Sequence, residues 1–200
     1  MTRLIVWRHG NTDWNANERI QGQSDTPLNE LGRRQAATAA RSLLALRPDV
    51  IVASDLLRAS DTAAALSAIS GLTVSYDKRL RERYFGSWQG LYISEVIARF
   101  PEEHARWTTG QEIGGDVESL DELGSRVSAA LLSASELGET VVVATHGAAA
   151  RQGVGQFLGW PLSVLRTLRP LQNCHWIDLY RDRQRGWQMA GFNVGAFPPA

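Results

Sequence analysis

Short unbroken runs of apolar residues alternate with longer stretches of helical spacing along this chain, and that rhythm predicts its architecture. Leu4-Ile5-Val6-Trp7 forms the body of a strand over residues 3–8. Residues 29–46 space their alanines and leucines as a helix does, with Asn29 as the cap and Gly32 tolerated in the first turn. Asp49 to Ala53 is a short strand, Ala59 to Ser70 a helix stopped by Gly71, and Leu72 to Tyr76 a third strand. Residues 92–107 and 119–137 read as two helices, an insert expected over one edge of the sheet. Val141 to Thr145 is the most apolar strand and the expected centre. A helix over 149–158 follows, with Gly159 near its end and Pro161 beyond it. His175 to Tyr180 and Trp187 to Asn193 close the pattern as paired strands around Arg181–Gly186. Strands that are apolar throughout are buried on both faces. With helices between them they indicate an α/β fold: a mainly parallel sheet covered on both sides.

Composition narrows the picture without changing it. Two hundred residues support one domain, 1–200, with a full hydrophobic core. Arg, Lys, Asp and Glu balance to a net charge of zero, and no basic run exceeds three residues, so neither nucleic acid nor an anionic membrane surface is an expected partner. No apolar stretch is long enough to span a bilayer. Met1 leads almost at once into a strand, so no signal peptide is expected and the location expected is cytoplasmic. The single cysteine, Cys174, excludes an internal disulfide and a cysteine-based metal site, and reads as a small core residue in a strand. Lys78 is the only lysine, a bias attributable to base composition. Pro198-Pro199 merely ends the chain.

Candidate chemistry gathers where the strands end. Arg8-His9-Gly10 follows the first strand and His146-Gly147 follows the most apolar one. Parallel strands would carry both imidazoles to one rim, the rim at which open α/β sheets bind ligands. Arginine suits an anionic, phosphate-like substrate, and imidazole can attack phosphorus and hold the phosphoryl group covalently. Asn15, Gln21 and Gly22 lie in the loop after the first strand. Arg58 falls at a helix N-terminus after the second, where free N–H groups favour anions. Glu82 follows the third, in a glycine-bearing loop among Arg79, Arg81 and Arg83. These parts supply a nucleophile, cations for the equatorial oxygens and an acid for the leaving oxygen. Blander readings stand beside them. A His-Gly pair can cap a turn, Arg58 can be a surface cation, and Glu82 can serve a surface salt bridge. His104 reads as exposed and His175 as a packed or edge residue. Gly153-Val154-Gly155 resembles the start of a dinucleotide motif, but lies in a helix with the wrong following spacing.

The Arg-His-Gly-x-Thr-x-x-Asn opening, Gln-Gly-x-x-Asp-x-Pro-Leu at 21–28, Ser-Asp-Leu-x-Arg-Ala-x-x-Thr-Ala, Glu-x-x-Phe-Gly-x-Trp-x-Gly and the late Thr-His-Gly, in that order from residue 3 to about 155, resemble the histidine phosphatase superfamily in its phosphoglycerate mutase-like branch. That resemblance implies a single-domain doubly wound sheet with one antiparallel edge strand. It makes His9 the phosphorylated nucleophile, Arg8, Arg58 and His146 the lining of the phosphate pocket, and Glu82 the proton donor. Asn15, Gln21, Gly22 and the Gly147 backbone would complete the phosphate and substrate contacts. It implies no metal and no other cofactor: a metal-independent phosphoric monoester hydrolase, with the arginines and His146 neutralising charge.

Within that family, mutases need cations for a second phosphate, carried in the insert as a lysine and an arginine pair. Residues 91–118 here hold only Arg99 and Arg106, and 110–118 are acidic. Hydrolysis is therefore favoured over phosphoryl relocation. The expected substrate is a small phosphorylated metabolite, with glucosyl-phosphoglycerate or a similar acidic phosphate suggested by the 15–28 segment. The alternatives carried are a phosphoglycerate mutase, a phosphoprotein-directed phosphatase and a non-catalytic phosphate-binding module. A helical roof at 91–137 over the pocket argues against a protein substrate. A homodimer is one assembly the sequence allows. Two departures from the family pattern bear on specificity: Ala148 stands where a second glycine often follows His-Gly, and the loop Gly114–Ser119 is two residues longer than the usual Gly-Gly-Glu-Ser.

Overall fold

Each apolar run is a strand, and alternation within it sends neighbouring side chains to opposite faces. A computed structural model describes residues 2–196; Met1 and 197–200, with the Pro198-Pro199 pair, lie outside the described residues. The strands are β1 (Arg3–Arg8), β2 (Val50–Ala53), β3 (Val74–Tyr76), β4 (Thr140–Thr145), β5 (Trp176–Asp182) and β6 (Gly186–Val194), in one sheet of order β3-β2-β4-β1-β5-β6. β3, β2, β4 and β1 pair in parallel, and β5 runs against β1. The antiparallel strand is not itself the edge. β6 pairs antiparallel outside it, because the Asp182 carboxylate accepts the Gln184 and Arg185 N–H groups at 2.8 Å each and turns the chain straight back.

The helices are α1 (Asp13–Ala16), α2 (Glu30–Leu44), α3 (Leu57–Ser70), α4 (Ile93–Arg99), α5 (Pro101–Thr108), α6 (Leu120–Ser135), α7 (Gly147–Phe157) and α8 (Leu162–Leu165). Ile5, Trp7, Ile51, Val142 and Ala144 pack beneath α2 and α3 through Ala36, Ala40, Leu43, Ala63 and Leu66. Their neighbours Leu4, Val6, Val52, Val141 and Val143 pack on the other face against α6 and α7 through Leu123, Val127, Leu131, Ala150 and Val154. Glycines let the layers close. A Cβ on Gly153 would stand 2.1 Å from Val127 Cγ1, and one on Gly155 2.5 Å from Leu165, so the Gly-Val-Gly run serves helix packing. Among the described residues no helix is long and apolar enough to cross a membrane.

The expected insert at 91–137 is not one unit. Its second helix, α6, is part of the sheet's own core. Its first breaks in two at Phe100 (φ −135°, ψ 55°), because Pro101 lacks an N–H and disfavours helical geometry in the residue before it. The resulting α4–α5 pair has a small core of its own, with Val96, Phe100 and Trp107 against Ile20, Phe85 and Trp88. His104, expected exposed, is half-buried with its ring 5.8 Å from that of Trp107. Cys174 and His175, expected within a strand, precede β5.

Where the site falls follows from this winding. From β1 the chain passes over one face to β2. From β4, its neighbour, it passes over the other face by α7 towards β5. The connections leave adjacent strands in opposite directions, which opens a crevice at their carboxyl ends.

Candidate active site

β1 and β4 pair in register with Arg8 opposite Thr145, so the next residues, His9 and His146, emerge side by side. Their ring centroids are 5.1 Å apart. The loop that carries His9 crosses α2 backbone to backbone: a Cβ on Gly10 would meet the Gly32 carbonyl oxygen at 2.5 Å, which accounts for glycine at both places. Gly10 N–H then donates to Thr62 Oγ1 at 3.0 Å, locking the loop to α3.

His9 is nearly fully buried, and its Nδ1 lies 2.7 Å from the Gly10 carbonyl oxygen. A carbonyl can only accept, so Nδ1 carries the proton and the neutral ring presents its lone pair at Nε2. Burial, then the cations Arg58 and Arg8, push the His9 pKa well below the ordinary histidine value and keep that lone pair available. His146 is pushed the same way, first by burial and then by Arg58. Its Nε2 is 2.8 Å from Ser54 Oγ, and its Nδ1 is buried without a partner.

The arginines are held by carbonyls rather than carboxylates. Arg58, fully buried at the start of α3, donates to the carbonyls of Ser24 at 2.8 Å and Gly22 at 2.7 Å. Arg8 donates to the carbonyl of Leu171. Burial lowers the Arg58 pKa to about 10 and also lowers that of Arg8, yet both remain cations at neutral pH. The amide side chains are oriented similarly. Asn15 Oδ1 lies 3.2 Å from Thr12 N, which donates to it, and Gln21 Oε1 accepts from Thr26 Oγ1 at 2.7 Å. Each thereby keeps its NH2 group for the pocket. Glu82 is the lone carboxylate of the lining. Its oxygens accept N–H groups of Arg83 and Ala149 at 2.9 Å and of Ala148 at 3.1 Å, seating it on the first turn of α7.

These groups surround a pocket of about 300 Å³ lined by Arg8, His9, Asn15, Arg19, Gln21, Gly22, Arg58, Glu82 and Gly147. Of the predicted site residues all but His146 line it, and His146 lies fully buried beside His9. The lengthened Gly114–Ser119 loop is not: Gly115–Glu118 line a separate depression with Tyr84 and Arg126, and Asp116 accepts from Ser87 N–H at 2.7 Å. Ala148 turns its N–H to Glu82. Sequence reasoning passed over Ser54, Phe85, Trp107 and Arg151. Ser54 stood in a quoted motif without a role, and Arg151, one helical turn beyond Gly147, had only its spacing to mark it.

Among the described residues, the buried side-chain nitrogens and oxygens without a hydrogen-bond partner are Arg8 Nε, Arg58 Nε, His146 Nδ1 and Arg151 Nε. All four belong to this pocket or the wall beneath it. Folded proteins leave few such groups unsatisfied, and three guanidinium nitrogens with one imidazole nitrogen fit a multiply charged oxyanion. No group of three or more His, Cys, Asp or Glu among the described residues could hold a metal ion.

The family model described as histidine phosphatase superfamily (branch 1) matches residues 4–195. The chain belongs to that superfamily. It is 38% identical to glucosyl-3-phosphoglycerate phosphatase of Mycolicibacterium vanbaalenii, over 98% of this chain and 89% of that protein. With metal-independent phosphoserine phosphatase of Arabidopsis thaliana it shares 39%, over 99% and 90%. A probable phosphoglycerate mutase of Salmonella paratyphi A is 37% identical over 97% and 91%. The solved structure of a mycobacterial glucosyl-3-phosphoglycerate phosphatase with VO3 superposes with a TM-score of 0.85 at 34% identity, covering 98% of this chain and all of that one. The chain is thus a histidine phosphatase-type hydrolase by relationship.

Proposed function

We propose that this protein hydrolyses a small, carboxylate-bearing phosphomonoester through a phosphohistidine at His9. His9 Nε2 forms a bond to phosphorus as the bond from phosphorus to the leaving oxygen breaks. Glu82 delivers a proton to that oxygen. Water then attacks the phosphohistidine, Glu82 takes its proton, and His9 returns to the neutral ring. Arg8, Arg58 and His146 stabilise the charge on the equatorial oxygens, while Asn15, Gln21 and the backbone of Gly22 and Gly147 fix the group in place. With Ser54 donating to Nε2, His146 carries its proton on Nδ1 as a further donor. The observation that carries the reading is the convergence of unsatisfied buried cationic nitrogens on one pocket beside a neutral imidazole.

The leading candidate substrate is glucosyl-3-phosphoglycerate, after the named relatives. Relocation of phosphate is disfavoured because the insert's only cations are engaged elsewhere. Arg99 pairs with Glu95 at 3.4 Å, Arg106 donates to the Ile113 carbonyl at 3.0 Å, and neither lines the pocket. A panel of phosphorylated metabolites, scored separately for phosphate released and phosphate moved, tests the reading. Release from small acidic phosphates is expected. Relocation without release would make the protein a mutase, and preference for phosphopeptides would make it a protein phosphatase.

A further inference from the structure

A second cavity of about 360 Å³ adjoins the first, and the two share Phe85, Trp107, Ala148 and Arg151 as common wall. Thr108, Thr109, Gln111 and Gln152 add polar groups to its lining. Arg151 is the odd member. Each other arginine that is not exposed has an acceptor: Asp178 for Arg3, Asp55 for Arg81, Glu112 for Arg83, Glu118 for Arg126, and backbone carbonyls for Arg8, Arg19, Arg58 and Arg106. Arg151 has none among the described residues, and its Nε is buried without a partner. Burial lowers its pKa, with Glu82 the charge that opposes the shift. Arg151 is half-buried, and a buried guanidinium Nε with nothing to bind is costly to the fold on its own.

From the shared wall and the unpaired guanidinium we infer that Arg151 reads the carboxylate of the substrate's leaving group, directing the rest of that group into the second cavity. The inference rests on the phosphatase reading and deepens it. Arg151 stands on α7 one turn beyond Gly147 and Ala148, so it faces the same pocket as Glu82 but lies deeper along the helix. A phosphoryl group at His9 with its leaving oxygen at Glu82 therefore continues towards Arg151. A planar guanidinium accepts a carboxylate in two parallel hydrogen bonds. Beyond it, Phe85 and Trp107 offer apolar faces, and the threonine and glutamine side chains offer donors and acceptors. That lining suits a hydroxylated ring or chain attached to the acid.

A matched pair of substrates isolates the carboxylate: 3-phosphoglycerate and glycerol 3-phosphate differ only in bearing a carboxylate or a hydroxymethyl group at the far end. The readout is the ratio of their kcat/KM values in the wild type, Arg151→Met and Arg151→Lys. Loss of a charge-assisted pair predicts that Arg151→Met lowers this ratio on the order of 10- to 100-fold, mainly through KM on the acid, with Arg151→Lys in between. An unchanged ratio overturns the proposal. So does an equal fall on both substrates, which would place Arg151 on the phosphoryl group instead. Calorimetric binding of the two compounds to His9→Ala, with and without Arg151→Met, reads the same preference without turnover. If the wild type releases phosphate from neither compound nor from p-nitrophenyl phosphate, the phosphatase reading itself fails. If it turns over and both binding and kinetics ignore Arg151, only the proposal fails. Thermal melting guards against a structural role: Arg151→Met should melt no lower than the wild type, since no hydrogen bond or ion pair among the described residues depends on the Arg151 side chain.

Discussion

Two groups of arginines lie on either side of Glu82, and their partners differ in kind. On the outer side, Arg81 is paired with Asp55 at 2.7 and 2.6 Å, Arg83 with Glu112 at 3.1 Å, and Arg126 with Glu118 at 2.5 and 2.8 Å. On the inner side, Arg8 and Arg58 meet only carbonyl oxygens, Arg151 meets nothing, and each keeps a buried Nε without a partner. The outer charges are neutralised within the chain and tie the Glu82 loop to α6. Arg126 alone donates to the backbone carbonyls of Arg79, Arg81 and Glu82. The inner charges are positioned but not neutralised. Composition counts the two groups alike; only the partners separate scaffold from site.

The sharpest way to break that contrast is to remove the nucleophile. His9→Ala should fold as the wild type does and lose turnover on the order of 10⁴-fold or more. Quenching with labelled substrate should trap no acid-labile phosphate on it, and any label still trapped would move the nucleophile elsewhere.

Arg58→Met and Arg126→Met set the two groups against each other. The first should lower kcat/KM by on the order of 10²- to 10³-fold and weaken inhibition by vanadate, with relief of a buried charge offsetting the donor lost to the Ser24 and Gly22 carbonyls. The second should cost about 2 kcal/mol of stability, because Glu118 and the loop carbonyls lose their donor. Denaturant titration beside inhibition kinetics would check both, and a reversed pattern would erase the distinction.

Glu82→Gln should fall about 100-fold on alkyl phosphates, whose alkoxide needs a proton, and far less on p-nitrophenyl phosphate. Equal slowing on both would leave Glu82 as the carboxylate that seats the start of α7. The last test concerns pH. Both histidine pKa values are lowered well below the ordinary value, so an unfolded chain takes up protons that the folded one refuses as pH falls below about 6.5. Stability should then drop by about 1.4 kcal/mol per pH unit for each histidine. A His9→Ala, His146→Ala double variant should lack that slope in equilibrium unfolding between pH 6.5 and 5. By the same shift, kcat/KM should show no acid limb near 6.5, and Arg58→Met should bring the limb back towards it.

The strands and the residues that follow them were legible because both depend on local order. An apolar run buried on two faces needs no partner's identity to be recognised, and a residue one step past such a strand must lie at the sheet's edge. This is why His9 and His146 could be placed together from spacing, while Arg58 and Glu82, five and six residues past their strands, joined them through family likeness. The segment after Glu82 was less legible. Residues 92–107 keep helical spacing across Pro101, and the break came from that one ring. Nor does the amphipathic pattern of 119–137 say whether the apolar stripe covers a pocket or the sheet; Leu123, Val127 and Leu131 face the sheet because its β4–β1 face is otherwise uncovered there.

By itself, then, the sequence determined the α/β alternation and the strand ends that carry His9 and His146, which follow from periodicity and adjacency, and its ordered motifs supplied the remaining groups through family likeness. What only the tertiary structure decided is which charges remain unpaired. Arg83 and Arg151 are the same residue type, one buried and one half-buried, and both line the second cavity. One meets Glu112, brought from 29 residues away, and the other meets no acceptor. Pairing of buried charge is a property of distances across the fold, and no local pattern in the chain encodes it.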